Sequence, residues 1–116
     1  MNRPKNVSKQ VAEQVFRVFV SEMEKRLHMA PGTLPTGKHA AHRGDGPELV
    51  MDWNPGTESG PRPTILIEGG VGYAMPGEYG IGDLDLGLTV NRILRERGIK
   101  AMTEAYASYA VSIWPE

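Results

Sequence analysis

The last third of the chain places the tightest limit on the fold. A helical pattern ends at Gly98, and alternating residues rich in aromatic side chains follow over 99–115. Alternation with a period of two puts one set of side chains on one face of a sheet. Glycine at a helix C-cap adopts the left-handed conformation without steric cost. The pattern predicts a helix and then a β-hairpin that turns near residues 105–108.

Residues 83–90 fit two patterns. They alternate between apolar and polar residues, as a strand does, and the apolar positions also continue at helical spacing. The helical positions are Leu86, Val90, Ile93 and Leu94. Both interpretations stay open from sequence, and we adopt a second helix from about Asp83 or Thr89 through Arg97.

The N-terminal segment predicts the clearest helix, from about Val7 to His28. Its apolar stripe consists of Val11, Val15, Val18, Phe19, Met23 and Leu27. Asn6 or Ser8 can cap its start, and Pro31-Gly32 stops it. Phe16 and Val20 widen the stripe, which indicates a second packing surface made for more core or for a partner.

The middle of the chain predicts a long loop and two strands. Proline and glycine punctuate a loop over about 30–47, and residues 48–53 and 64–68 read as strands that pair as an antiparallel hairpin. We therefore expect a single α+β domain over 1–116. Its two helices should pack on one face of a mainly antiparallel sheet of about four strands.

Composition excludes several classes of function. The net charge of −1 gives no general attraction to nucleic acid or to anionic membranes. The absence of cysteine excludes disulfides, thiolate nucleophiles and cysteine-ligated metals. No run reaches the roughly 18 apolar residues of a spanning helix, so we expect a cytoplasmic protein.

Two near-motifs lie in the Pro/Gly-rich loop. Residues 32–39 resemble a phosphate-binding loop, but His39 replaces the hydroxyl residue and no strand precedes it. His39 and His42 have a spacing that could bind zinc on a helix, with Asp45 as a third ligand, yet the local sequence is not helical. We predict no cofactor and no metal.

Three carboxylates fall at or near predicted strand ends: Asp52, Glu68 and Glu104. Two of them could converge and share a proton, as acid–base catalysis requires, with His39 or His42 assisting. Charges that protect strand edges from aggregation are the commoner explanation. We predict no catalytic residue and keep a small hydrolase-like enzyme as an alternative.

The aromatic residues favour a partner-binding role. Tyr73, Met75 and Tyr79 lie in a Gly-rich stretch with little to bury them, and such side chains concentrate at interfaces. Together with Phe16 and Val20 they form the predicted partner-binding set.

Two blocks, 64–70 and 104–115, resemble small uncharacterised proteins of actinobacteria and their phages. Those proteins carry a strand that ends in Glu-Gly-Gly and a C-terminal hairpin that begins roughly Glu-Pro-Tyr. Here Ala105 replaces the proline. The resemblance implies a phage-type accessory protein and brings no activity with it.

The sequence therefore predicts a non-enzymatic protein–protein interaction module that acts on a host protein or assembles with itself as a homo-oligomer. A phage virion structural component is a further alternative.

Overall fold

A computed structural model describes residues 6–34, 36–37, 48–52, 63–68, 84–107 and 110–116. The described chain forms two helices and five strands. In chain order these are α1 (Lys9–Arg26), β1 (Thr36–Gly37), β2 (Glu48–Asp52), β3 (Thr64–Glu68), α2 (Leu84–Glu96), β4 (Ala101–Ala107) and β5 (Ala110–Pro115).

The strands form one sheet in the order β1-β2-β3-β5-β4. Four strands pair antiparallel, and β1 runs parallel to β2. The C-terminal strand β5 lies between β3 and β4, with Val111 opposite Ile65 and Ile113 opposite Thr103. Both helices pack on one face of this sheet, so the α+β prediction is confirmed.

The hydrophobic core lies between the helices and the sheet. α2 packs against β4 and α1, and apolar side chains at three- and four-residue steps supply the helical side of the core. The core residues buried without measurable exposure include Val15 and Phe19 from α1, Leu86, Val90 and Leu94 from α2, and Leu49, Ile65 and Ile113 from the sheet.

The first helix starts two residues later than the predicted Val7 and ends two residues earlier than the predicted His28. Ser8 is the N-cap, and its hydroxyl oxygen accepts a hydrogen bond from the Val11 amide at 3.1 Å. The helix ends at Arg26, before the predicted His28, because His28 has a φ of +57° that a right-handed helix does not permit. The chain thus leaves α1 before Pro31.

The sheet departs from prediction in two places. Thr36 and Gly37, inside the predicted loop, form the short edge strand β1 against β2. The C-terminal hairpin keeps its first strand through Ala107, past the predicted start of the turn at Ala105, with a register shift between these two residues. Residues 38–47 and Trp53 lie outside the described part of the chain.

The two helices end in the same way on different residues. In both, the backbone amide three residues after the last helical residue donates a hydrogen bond back to the helix. Met29 donates to the carbonyl oxygen of Glu24, and Ile99 to that of Leu94, each at 2.9 Å. The left-handed position is His28 after α1 and Gly98 after α2, where φ is +71°. The glycine cap predicted at Gly98 is present.

We expect His28→Gly to raise the free energy of unfolding by about 0.5–1 kcal/mol. Glycine avoids the steric cost of the left-handed conformation and loses part of that gain to a more flexible unfolded chain. Urea denaturation measures the change. The matched control is Gly98→Ala, which introduces the same strain after α2 and should lower stability by about 1 kcal/mol; equal stability of the two variants would contradict this account.

Candidate interaction surface

The outward face of α2 carries an exposed apolar side chain between charges. Leu88 is 59% exposed. Among the large hydrophobic side chains that the structure describes, it is the one that is mainly exposed to solvent. Asp85 and Arg92 are exposed three residues before and four residues after it, a spacing that places all three on one helical stripe. We call Asp85, Leu88 and Arg92 the α2 stripe.

The orientation of this stripe follows from the opposite side of the helix. Leu86, Val90 and Leu94 recur every four residues and are fully buried. Burying them contributes roughly 1.5–3 kcal/mol each, which fixes the rotation of α2 about its axis. Residues about half a turn away, Leu88 and Arg92 among them, must then face outward.

An ion pair with α1 holds the start of α2 in place. A guanidinium nitrogen of Arg26, in the last turn of α1, lies 2.6 Å from a carboxylate oxygen of Asp85, in the first turn of α2. The Asp85 side chain remains 78% exposed in this ion pair. The sign of each charge suits its position, because helix N-termini favour acids and C-termini favour bases. Asp85 therefore stays accessible on the stripe while it ties the two helices together.

Asn91 fixes the middle of α2 against the edge strand β4. Its side-chain amide donates to the Thr103 carbonyl oxygen at 3.1 Å, and its side-chain oxygen accepts from the Thr103 amide at 2.8 Å. The Thr103 hydroxyl donates to the same oxygen at 2.8 Å. The carboxamide thus satisfies both outward-facing backbone groups of Thr103, as a neighbouring strand would.

A buried carboxylate fixes the chain that leaves α1. Glu24 is 5% exposed, and its Oε2 accepts hydrogen bonds from the backbone amides of Thr33 at 2.8 Å and Leu34 at 3.0 Å. These bonds hold Leu34 in the core, where it is 5% exposed. The role of Glu24 in these contacts is structural, because it organises the backbone ahead of β1.

The predicted partner-binding residues of α1 are half-buried. Phe16 and Val20 both pack against the hydrophobic core. Val20 lies one helical turn before Glu24, whose carboxylate accepts hydrogen bonds from the backbone amides of Thr33 and Leu34. The side of α1 that carries Phe16 and Val20 is therefore continuous with the side against which residues 33–34 pack. Part of the predicted second packing surface is thus used within the chain. Tyr73, Met75 and Tyr79 lie outside the described residues.

The strand register separates the three candidate carboxylates. Asp52, Thr64, Ser112 and Glu104 occupy one row across four strands. Three strand spacings put the backbones of Asp52 and Glu104 roughly 14 Å apart. Glu68 pairs with Glu48 at the other end of β3. The register thus places the backbones of Asp52 and Glu68 at opposite ends of the β2–β3 pair and separates the backbones of Asp52 and Glu104 by the width of the two strands between them.

The histidine site falls outside what the structure describes. His39, His42 and Asp45 all lie within 38–47. Within the described ranges, no three His, Cys, Asp or Glu side chains lie close enough together to hold a metal ion. Neither α1 nor α2, as described, is long and apolar enough to cross a membrane.

Sequence reasoning missed Leu88, although a signal for it was present. Once Leu86, Val90 and Leu94 are assigned to the buried side, helical geometry puts Leu88 on the opposite side. The competing strand pattern over 83–90 hid this. The roles of Glu24 and Asn91 have no local signal, because each depends on residues brought close only by the fold.

No protein-family model, curated protein or solved structure matches this chain.

Proposed function

We propose that this protein is a small non-enzymatic protein–protein interaction module and that the α2 stripe is its principal docking surface. The observation that supports this is the 59% exposure of Leu88 on a helix whose opposite side is buried in the core, one turn from an exposed arginine. Arginine is enriched at interfaces, and an apolar side chain surrounded by polar groups matches the usual layout of an interface centre and rim.

The anchoring of α2 supports the same role. Preorganised surfaces bind more tightly, since little conformational entropy is lost on association. The Arg26–Asp85 ion pair and the Asn91–Thr103 hydrogen bonds fix α2 at its start and its middle. A partner would therefore meet the stripe already in its bound geometry.

The cellular setting is part of the proposal. We propose a cytoplasmic, phage-type accessory protein that binds a host protein or itself, in line with the resemblance of residues 64–70 and 104–115 to actinobacterial and phage proteins. Phe16 and Val20, together with Tyr73, Met75 and Tyr79, are proposed as a secondary contact set.

Site-specific photo-cross-linking tests the proposed surface. We expect benzoylphenylalanine in place of Leu88 to give a discrete protein adduct in cells that naturally produce the protein. The same group in place of Gln14, which is exposed on α1, should give none. Mass spectrometry identifies the adduct. Equal labelling at the two positions, or none at Leu88, would contradict an interaction through α2.

A further inference from the structure

We infer that the partner of the α2 stripe is a second copy of this chain, bound with the two α2 helices antiparallel about a two-fold axis at Leu88. The inference rests on the proposed function and goes further by naming the occupant. Its basis is the arrangement of charge along the stripe, which is complementary to itself.

The spacing of the charges sets this complementarity. A helix rises 1.5 Å per residue, so Asp85 lies about 4.5 Å before Leu88 and Arg92 about 6 Å after it. In an antiparallel pair centred on Leu88, Asp85 of each copy falls within about 1.5 Å, along the axis, of Arg92 of the other. Each interface thus gains two opposite-charge pairs around a central pair of leucines.

The same arrangement argues against a purely acidic partner. A surface for an acidic peptide should present bases alone, whereas this stripe carries an acid and a base at nearly equal distances from its apolar centre. Asp85 remains 78% exposed while bound to Arg26, so Arg92 of the second copy can reach it. Asp85 of one copy would then lie between two positive charges, Arg26 of the same copy and Arg92 of the second copy.

The size of the stripe sets the expected strength. A single leucine with two charged neighbours covers much less than the roughly 1,200–2,000 Å² of a standard stable interface. The self-association through this stripe should therefore be weak and dependent on concentration. High salt should weaken it further, because exposed charge pairs are screened.

Sedimentation equilibrium on the purified chain measures the association. We expect a monomer–dimer equilibrium at concentrations up to about 1 mM, a range that reaches even weak complexes. Leu88→Arg should weaken dimerisation about tenfold or more, since it removes the apolar centre and sets two like charges on the axis. Gln14→Arg, which adds the same single positive charge on the exposed side of α1, should leave the dimer unchanged.

A charge exchange tests the pairing itself. Arg92→Asp alone should weaken the dimer, because it faces Asp85 of the second copy with a like charge. The triple variant Arg26→Asp, Asp85→Arg and Arg92→Asp exchanges all the signs, keeps the ion pair between α1 and α2 in reversed polarity, and should restore dimerisation. Circular dichroism of each variant checks that the helices are intact. Failure of the triple variant to recover, with its helices intact, overturns the antiparallel register.

The chain contains no cysteine, so a single introduced cysteine can test the dimer by forming a new bond across it. A Leu88→Cys variant has a single thiol, and the two-fold axis places the two thiols of a dimer next to each other. We expect rapid interchain disulfide formation under mild oxidation. Ser21→Cys, exposed on α1, should cross-link much more slowly; equal rates overturn the arrangement.

The outcomes separate this inference from the proposed function. A chain that stays monomeric up to about 1 mM, yet cross-links through position 88 to a different protein in cells, overturns self-association and keeps the interaction module. A monomeric chain with no adduct at position 88 overturns both.

Discussion

Glu24→Ala is expected to lower the free energy of unfolding by about 2–4 kcal/mol. The substitution removes the acceptor of two backbone amides, those of Thr33 and Leu34, and each buried donor left unsatisfied costs about 1–3 kcal/mol. Leu34 would also lose the support that holds it in the core. Urea denaturation gives the loss in stability, and hydrogen exchange should show faster exchange of the Leu34 amide.

Two further variants separate the effect of charge from the effect of shape. Glu24→Gln keeps an oxygen that can accept both amides but loses the charge, so about half of the loss should remain. Glu13→Ala removes a carboxylate that is exposed on the same helix, and should cost less than about 1 kcal/mol. A Glu13 variant as unstable as the Glu24 variant would contradict the role given to the amide contacts.

Asn91→Leu is expected to lower stability by about 2–3 kcal/mol, although leucine is close in size to asparagine. The apolar side chain cannot bond either backbone group of Thr103, and both groups would stay partly buried beside α2. Thermal unfolding measures the loss. Hydrogen exchange of the Thr103 amide should be slow in the native protein and faster in the variant. This difference would assign the loss of stability to the contact between residues 91 and 103.

Related substitutions apportion the three hydrogen bonds. Thr103→Val removes only the hydroxyl bond and should cost about 1 kcal/mol. Asn91→Asp keeps an acceptor for the Thr103 amide and hydroxyl but sets a second oxygen against the Thr103 carbonyl, so it should still be clearly destabilising. An Asn91→Asp variant as stable as the native protein would show that the donated bond contributes little.

The elements whose signals are local were predictable from the sequence. The apolar stripe of α1, the β-branched run at Thr64–Glu68 and the glycine cap at Gly98 each encode their structure within a few residues. The ambiguity over 83–90 was resolved in favour of a helix because the four-residue apolar spacing continues to Leu94, whereas the alternation stops. The helical assignment buries three side chains together.

The features that the sequence did not reveal all depend on long-range contacts. No local pattern states that β5 pairs with β3 as well as with β4, because strand order depends on which edges meet in the fold. Glu24 would be read from sequence as a helical surface residue, and only its amide partners about ten residues later account for its burial. The His28 cap was missed because histidine seldom adopts a left-handed conformation.

The place of β5 in the sheet has a consequence for folding during translation. β2 and β3 form one paired unit, and within the described sheet β4 is hydrogen-bonded to it through β5, which is synthesised after the other described strands. A nascent chain therefore holds two incomplete pieces until residues 110–115 leave the ribosome and close the gap between them. Folding of the sheet should be delayed until β5 has left the ribosome, and a stop codon placed before Ala110 should yield a product that proteases degrade quickly.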